Sequence, residues 1–440
     1  MGNWLEIQNR ILNEEDLIAE FDIETITPTR IGGYNAAPYS LRLNLSSDIN
    51  AKSLKGVWRW WARTAIVGVF NGKIDYEKAN TYLSKIFGGA KKDKRSSSFR
   101  LIVSNIELSR ISRGLAEYKY NEYRRVPRIK LLLMGRRGES VEEERRGVIN
   151  EGSRFKVSIY GERDNYKVNF ALSSFLLSSI FGGIGSITKR AFGSVRISSF
   201  KPGNINIDGE INSIINSLEN KSFSAEELEK TLKELCSKTI EYARTFISKE
   251  MKEKFIETSK YSKKENEIPI VPSLSNIKIN VIECRDFNLI DIGEVVLKQS
   301  WKKRLKMSIQ EEGGELHTWI LGLPRRHLLR GQRGFGYAIK ERNGKYNFNV
   351  RRLSSIGIRC FKAKNNRNFI ILFGLLSKDW PIENLYHLGE RPVRSINIRP
   401  VKNINIRQCP GVNGSSLEKV FDVAFSEVSN LIRERLGVRQ

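Results

Sequence analysis

The alternation of apolar and polar positions changes period several times along the 440-residue chain. In FDIETITPTRIGG, Phe21, Ile23 and Thr25 alternate with charged residues, which predicts a strand ended by Pro28 and the Gly32–Gly33 pair. In SLKGVWRWWARTAIVGVF the period lengthens. Leu54, Trp58, Trp61, Ala65 and Ile66 recur at helical spacing, with Ser53 as the expected N-cap. Strand patterns return at 98–108 and 153–161, and the charge-dense stretch between them, from Arg136 and Arg137 to Arg145 and Arg146, reads as an inserted loop or hairpin. Residues 168–181 predict a mainly buried helix. It runs into GGIGSITKRAFG (182–193) and then into the alternating strand SVRISSF. The resulting order, strand–helix–strand–strand–helix–strand, is the split βαβ, ferredoxin-like one.

After Pro202–Gly203 the pattern shifts. AEELEKTLKELCSKTIEYARTFISKEMKEKF is amphipathic with Glu–Lys pairs at helical spacing, which predicts one or two helices. The stretch from Tyr261 to Pro272 reads as a linker, 276–284 as a strand, and 291–310 as a helix. Strands near 337–342, 346–352 and 369–375 and a helix over 415–436 complete the reading. The expected organisation is α+β: a ferredoxin-like domain at 1–203, a helical insertion at 204–262 and a second ferredoxin-like domain at 263–440.

The two halves share a local pattern. IFGGIGSITKRAFGSVRI (180–197) and ILGLPRRHLLRGQRGFGYAIK (320–340) each open on an apolar pair and a glycine, pass through a basic middle and close on Phe-Gly and a strand. Glycine permits positive φ and close backbone approach, and backbone N–H groups beside Arg or Lys can hold phosphate oxygens. Neither segment is a Walker A or a full dinucleotide-binding fingerprint. Two basic loops of one kind imply duplicated domains sharing one kind of ligand.

Charge says what that ligand is. Lys and Arg number 75 against 49 Asp and Glu, a formal net charge of +26 spread along the chain. A folded basic surface of this size attracts polyanions, nucleic acid foremost, with an anionic membrane surface as the minor alternative. Apolar runs stay short of the ~18–20 residues of a membrane helix, and MGNWLEIQNRILNEEDL does not have the pattern of a signal peptide. Cys236, Cys284, Cys360 and Cys409 lie far apart, so neither a zinc ribbon nor a disulfide framework is expected, and the simple location is a reducing, cytoplasmic one.

The densest candidate surface is KSLKGVWRWWARTAI. Lys55, Arg59 and Arg63 are four apart and form one basic stripe, expected to face solvent. Trp58 and Trp61 point to the apolar side, whereas Trp60 lies beside the stripe, where an indole suits stacking on a base or ribose. The expected RNA-binding set is Lys52, Lys55, Arg59, Trp60 and Arg63 on the helix, Gly183, Gly185, Lys189 and Arg190 in the first loop, and Arg325, Arg326, Arg330 and Arg333 in the second.

These segments carry a resemblance. A strand ending in TP-x-x-x-GG, then SLKGVWRWWAR, then GGIG…FGSV resembles the RAMP superfamily, and more narrowly the first-subunit family of the Cmr complex of type III-B CRISPR effectors. The match is specific over 25–200; the C-terminal half shares the RGFG loop and the general layout. The resemblance implies two ferredoxin-like domains and a place at the end of the complex distal to the 5′ tag of the guide. There the chain would contact the crRNA 3′ region and target RNA, beside other RAMP subunits.

Catalytic chemistry is expected to be absent, together with any metal or other cofactor. RAMP endonucleases that process guides carry a histidine in or near the first helix, and here His317, His327 and His387 all lie in the C-terminal half. The target-cleaving RAMP subunit uses an Asp in the loop after its first strand, and TPTRIGGYNAAP has none. His327, inside PRRHLLRGQRG, could accept a proton, but Arg325, Arg326 and Arg330 would disfavour its protonated form. The alternatives to a non-catalytic RNA-binding subunit are a metal-independent endoribonuclease using His327 and a stand-alone RNA-binding module of another pathway.

Overall fold

The computed structural model describes residues 17–31, 39–40, 45–46, 49–89, 96–109, 148–251, 267–286, 336–340, 343–344, 346–347, 353–379, 385–388, 404–405 and 417–437. The fold is α+β, with tandem ferredoxin-like units and a helical insertion.

The first unit is a four-stranded antiparallel sheet of β1 (Leu17–Thr25), β2 (Phe99–Glu107), β3 (Arg154–Gly161) and β4 (Val195–Pro202), in the spatial order β2-β3-β1-β4. With α1 (Ala51–Val69) and α3 (Asn165–Leu177) this is the ferredoxin-like order. The period of two sorts the faces of the sheet. Phe21 lies opposite Val157 and Phe200, and its ring sits 4.9 Å from that of Phe175 on α3. The other face of β1 carries Glu20 and Glu24, paired with Lys156 at 3.5 Å and Arg196 at 2.9 Å.

The apolar face of α1 packs on α3 as its spacing predicts. Trp58 and Trp61 are buried, and the Trp58 indole N–H donates to Ala171 O (3.0 Å) and Ser174 Oγ (2.9 Å). The N-cap is Asn50 and not Ser53: the backbone of Asn50 is extended, and its side chain accepts from Ser53 N at 2.8 Å. The expected cap thus lies inside the first turn. A second helix, α2 (Tyr76–Phe87), was not expected. A turn with positive φ at Asn71 and Gly72 reverses the chain, Asp75 caps the new helix through Lys78 N, and Leu83, Ile86 and Phe87 are buried.

The insertion holds α4 (Gly209–Asn220), also unexpected, and α5 (Ala225–Met251), one continuous helix where one or two were expected. Ser224 and Glu227 form a reciprocal capping box at the start of α5. Buried Leu228, Leu232, Leu235, Ala243, Phe246 and Ile247 turn one face of α5 to the core, with Phe246 stacked on Phe170 of α3 at 5.4 Å. Within the expected linker, residues 267–272 are tied down: Ile270 N donates to Gly72 O (2.8 Å) and Lys378 N to Pro269 O (2.7 Å).

The second unit has β5 (Ile277–Cys284), β6 (Ile356–Lys362) and β7 (Asn368–Leu375), antiparallel in the order β6-β7-β5. That is the arrangement of strands two, three and one of a ferredoxin-like sheet. The helix α6 (Leu417–Arg435) packs on it, with Phe421 against Gly374 and Ser429 bonded to Asn280 at 2.6 Å. A smaller four-stranded sheet pairs Tyr346–Asn347, Gly336–Lys340, Leu385–Leu388 and Ile404–Asn405 in that order. The strand β6 was not expected, because Gly357 and Arg359 break its apolar pattern; the expected helix at 291–310 lies outside the described residues. Trp61, Phe181 and Phe373 join the two units, with centroids 5.2 to 5.8 Å apart.

Candidate nucleic-acid interface

The centre of the candidate site is the glycine-rich segment 182–193. The helix α3 ends in one π turn (Ser178–Gly182), and the chain then enters a loop with positive φ at Gly183, Gly185 and Gly193, and also at Ile187 (59°) and Ala191 (69°). Glycine is required where the loop touches the segment after β1: a Cβ on Gly185 would lie 2.1 Å from Thr29 Oγ1, and one on Gly193 1.9 Å from Ile184 O. Thr29 Oγ1 donates to Ile184 O (2.9 Å), Thr27 Oγ1 to Ala191 O (2.7 Å), and Ser186 N to Arg30 O (2.9 Å). The threonines of ETITPT therefore act as splints for the loop.

Gly185 and Ser186 stay exposed at its tip. They border a groove of about 240 Å³ with an aliphatic floor of Ile31, Ile49, Leu54, Val57 and Ile184. Its rim brings together Arg30, Asn50, Ser53 and Gly183 through Ser186. Asn50 and Ser53 belong to the N-terminal turn of α1, the positive end of a 19-residue helix, and exposed Lys52 sits in the same turn. Cations, a helix N-terminus and an apolar floor suit a strand of nucleic acid, phosphate on the rim and base on the floor. Arg30 was not among the expected contacts; its signal is its place between the splinting threonine and the glycine pair.

The basic stripe does not face solvent as expected. Lys55 Nζ donates to Ser97 Oγ and Phe99 O, both at 2.8 Å. Arg59 donates to Phe87 O (2.8 Å) and Gly88 O (3.1 Å), and Arg63 Nε to Asn80 Oδ1 (2.9 Å) with its guanidinium over the Tyr76 ring. Burial lowers the pKa of each, reinforced at Lys55 by neighbouring Arg59 and opposed at Arg63 by Tyr76. The reason is the chain that follows α1: α2 folds back along the stripe, the carbonyls at its C-terminus take up Arg59 and its Asn80 takes up Arg63, while the start of β2 takes up Lys55. Trp60 is half-buried, edge-on to Trp61 at 5.0 Å, with Lys189 Nζ 5.5 Å over its ring.

The basic middle of the loop also turns inward. Lys189 Nζ donates to Ser354 O (2.7 Å), and buried Arg190 lies 3.4 Å from Ile356 O. The residue that sequence reasoning missed is Arg359 on β6. Its side chain is fully buried and donates to four carbonyls of the first unit: Ile180 O (3.2 Å), Thr188 O (2.9 Å), Phe192 O (2.8 Å) and Gly193 O (2.8 Å). Burial pulls its pKa down to about 10, so it remains a cation at neutral pH. An isolated Arg in SIGIRCF gives no local signal of this role.

Arg325, Arg326, Arg330, Arg333, His317 and His327 lie outside the described residues, and His387 is placed only by its backbone, in the strand Leu385–Leu388. Among the described residues no group of His, Cys, Asp or Glu could hold a metal ion. Cys236 and Cys284 are buried thiols pushed up to about 12 by burial, with acidic neighbours adding to the shift at Cys284. No helix among the described residues is long and apolar enough to cross a membrane.

Residues 22–196, which span the first sheet, its helices and the glycine-rich loop, match the RAMP superfamily. Within that superfamily the resemblance is to the first subunit of the Cmr complex. The chain is 26% identical over 188 residues to the CRISPR system Cmr subunit Cmr1-2 of Pyrococcus furiosus, covering 41% of this chain and 94% of that relative. The crystal structure of Cmr1 from Pyrococcus furiosus, apo form, superposes with a TM-score of 0.51 at 18% identity, over 88% of this chain and 94% of that one. A chain of the type III-B Cmr-beta complex bound to cognate target RNA and AMPPnP reaches a TM-score of 0.58 at 15% identity, over 95% and 100%. Structural likeness at such identities speaks for the fold.

Proposed function

We propose that this chain is an RNA-binding, non-cleaving subunit of a type III-B CRISPR effector, contacting the crRNA 3′ region and target RNA within a Cmr-like assembly. The observation that carries the reading is the meeting of the exposed Gly185–Ser186 tip, Arg30 and the N-terminal turn of α1 around one groove, on a chain of net charge +26. The similarity to a Cmr subunit in sequence, and to chains of Cmr-beta complexes bound to cognate target RNA in fold, supports the assembly. In this reading residues 1–203 and 263–440 are two RAMP domains around the insertion 204–262, and the second basic loop contributes Arg325, Arg326, Arg330 and Arg333.

The groove offers cations and backbone dipoles, and among the described residues its lining holds no carboxylate, imidazole or thiol to move a proton from a ribose 2′-OH. Its work is therefore to hold RNA in register while another subunit cuts. Purified chain should bind labelled single-stranded RNA and leave it intact with EDTA or with magnesium, and should co-purify with other Cmr subunits and crRNA. Defined cleavage products lost in His327→Ala would overturn the non-cleaving part; absence of any RNA binding would overturn the whole.

A further inference from the structure

We infer that Arg359, on the second sheet, is a positioning residue for RNA binding by the first unit: its guanidinium gathers both ends and the middle of the glycine-rich loop onto one point and so projects the Gly185–Ser186 tip into the groove. The inference rests on the proposed function. Ile180 precedes the loop, Thr188 lies in its middle, and Phe192 and Gly193 close it; all four carbonyls converge on one side chain. A planar guanidinium with five fixed donors can serve several carbonyls at once, which an ammonium on a flexible stem does not reproduce.

The cost of this arrangement shows that it is specific. A fully buried cation normally has an acidic partner, yet among the described residues Arg359 has none, and its charge is solvated by carbonyl dipoles alone. The loop meanwhile holds Ile187 and Ala191 at positive φ, a region that side chains with a Cβ avoid and that persists only where surrounding contacts impose it. Gly183 marks the same contact: a Cβ there would lie 2.0 Å from an Arg359 terminal nitrogen. Further hydrogen bonds flank the clamp: backbone pairs from Ala191 N to Ile358 O (2.8 Å) and from Ile358 N to Lys189 O (3.1 Å), and Cys360 N donating to the Ser194 hydroxyl (3.0 Å). An ordinary core position would be filled by an aliphatic residue; here the second sheet presents a rigid fork of donors to the loop that borders the candidate groove.

The test uses the full chain with Arg359→Met, which keeps the length and burial of the side chain, and Arg359→Lys, which keeps the charge. Fluorescence anisotropy with a labelled single-stranded RNA reads affinity, and hydrogen exchange reads the loop. Arg359→Met should bind about tenfold more weakly, the scale of one lost charged hydrogen-bonding group. Amides of 183–193 should exchange faster while β5, β6 and β7 keep wild-type rates, and Arg359→Lys should recover only part of the loss. Wild-type affinity in a folded Arg359→Met chain, or unchanged exchange in the loop, would sink the inference. Should Arg359→Met not fold, Gly183→Ala, which pushes the loop off an intact Arg359, is read the same way: wild-type binding with a displaced loop refutes the clamp. A wild-type chain that binds no RNA refutes the proposed function instead, so the two failures are separable.

Discussion

Two basic regions of the first unit look alike in sequence and end up with opposite partners. The stripe Lys55, Arg59, Arg63 on α1 is closed over by α2 and the start of β2, and its cations serve protein carbonyls, a hydroxyl and an amide. The rim of the groove, with Arg30 and the Gly185–Ser186 tip, stays at the surface, and exposed Lys52 sits in the helical turn that borders it. One turn of helix separates Lys52 from Lys55. Positive charge along a helix therefore does not mark a ligand surface by itself, because the fold can supply acceptors for it. A helix C-terminus is one such acceptor, as for Arg59, because its last carbonyls have no partner within the helix.

That contrast can be broken or sharpened by substitution. The largest effect belongs to the core that supports both regions. Trp61 is 2% exposed and packs on Phe181 and Phe373, so Trp61→Ala should lower the unfolding free energy by about 3–5 kcal/mol in a denaturant melt. A melt unchanged from wild type would show that the two units do not share this core. Next comes Arg59→Ala, which strands two carbonyls at the end of α2. We expect a loss of about 1–2 kcal/mol, kept at the low end because the side chain is half-exposed, with RNA affinity unchanged in the folded chain. A variant of normal stability and weakened RNA binding would restore the stripe to the RNA surface and erase the contrast. Arg63→Ala, which loses one hydrogen bond and a cation–π contact to Tyr76, should cost about 0.5–1.5 kcal/mol by the same melt, again without loss of RNA affinity. The smallest stability change belongs to Lys52→Ala, within about 0.5 kcal/mol of wild type, since the side chain is exposed. Its effect should show in RNA titrations over salt, as a slope of log K against log salt shallower by about 0.7. An unaltered slope would remove Lys52 from the site.

Legibility in the sequence followed element type. The strands β1 to β4 were readable because one face of the sheet is buried, which imposes a period of two; α1 and α5 were readable because one stripe of each faces the core. The strand β6 was not, since a strand buried on both sides and interrupted by Gly357 and Arg359 carries no period. For α2 the signal was present, Asp75 as cap and Ala79, Leu83 and Ile86 at helical spacing, but a polar first turn masked it. The expectation that Trp58 and Trp61 are core holds, while the solvent-facing stripe fails for want of α2.

What the sequence determined by itself is the order of β1 to β4, α1 and α3 in the first unit, the buried face of α1, the glycines of the loop and the excess of cations. All of these are local, set by periodicity, backbone freedom and charge count within a few residues. What the tertiary structure decided is which cations remain available. Lys55 and Lys52 have the same chemistry and nearly the same position, and only the path of α2 and β2 distinguishes them. Arg359 is the extreme case: it lies far along the chain from the loop whose carbonyls it binds. Hydrogen bonding depends on distance in space, and no pattern along one strand can report a partner that another unit brings to it.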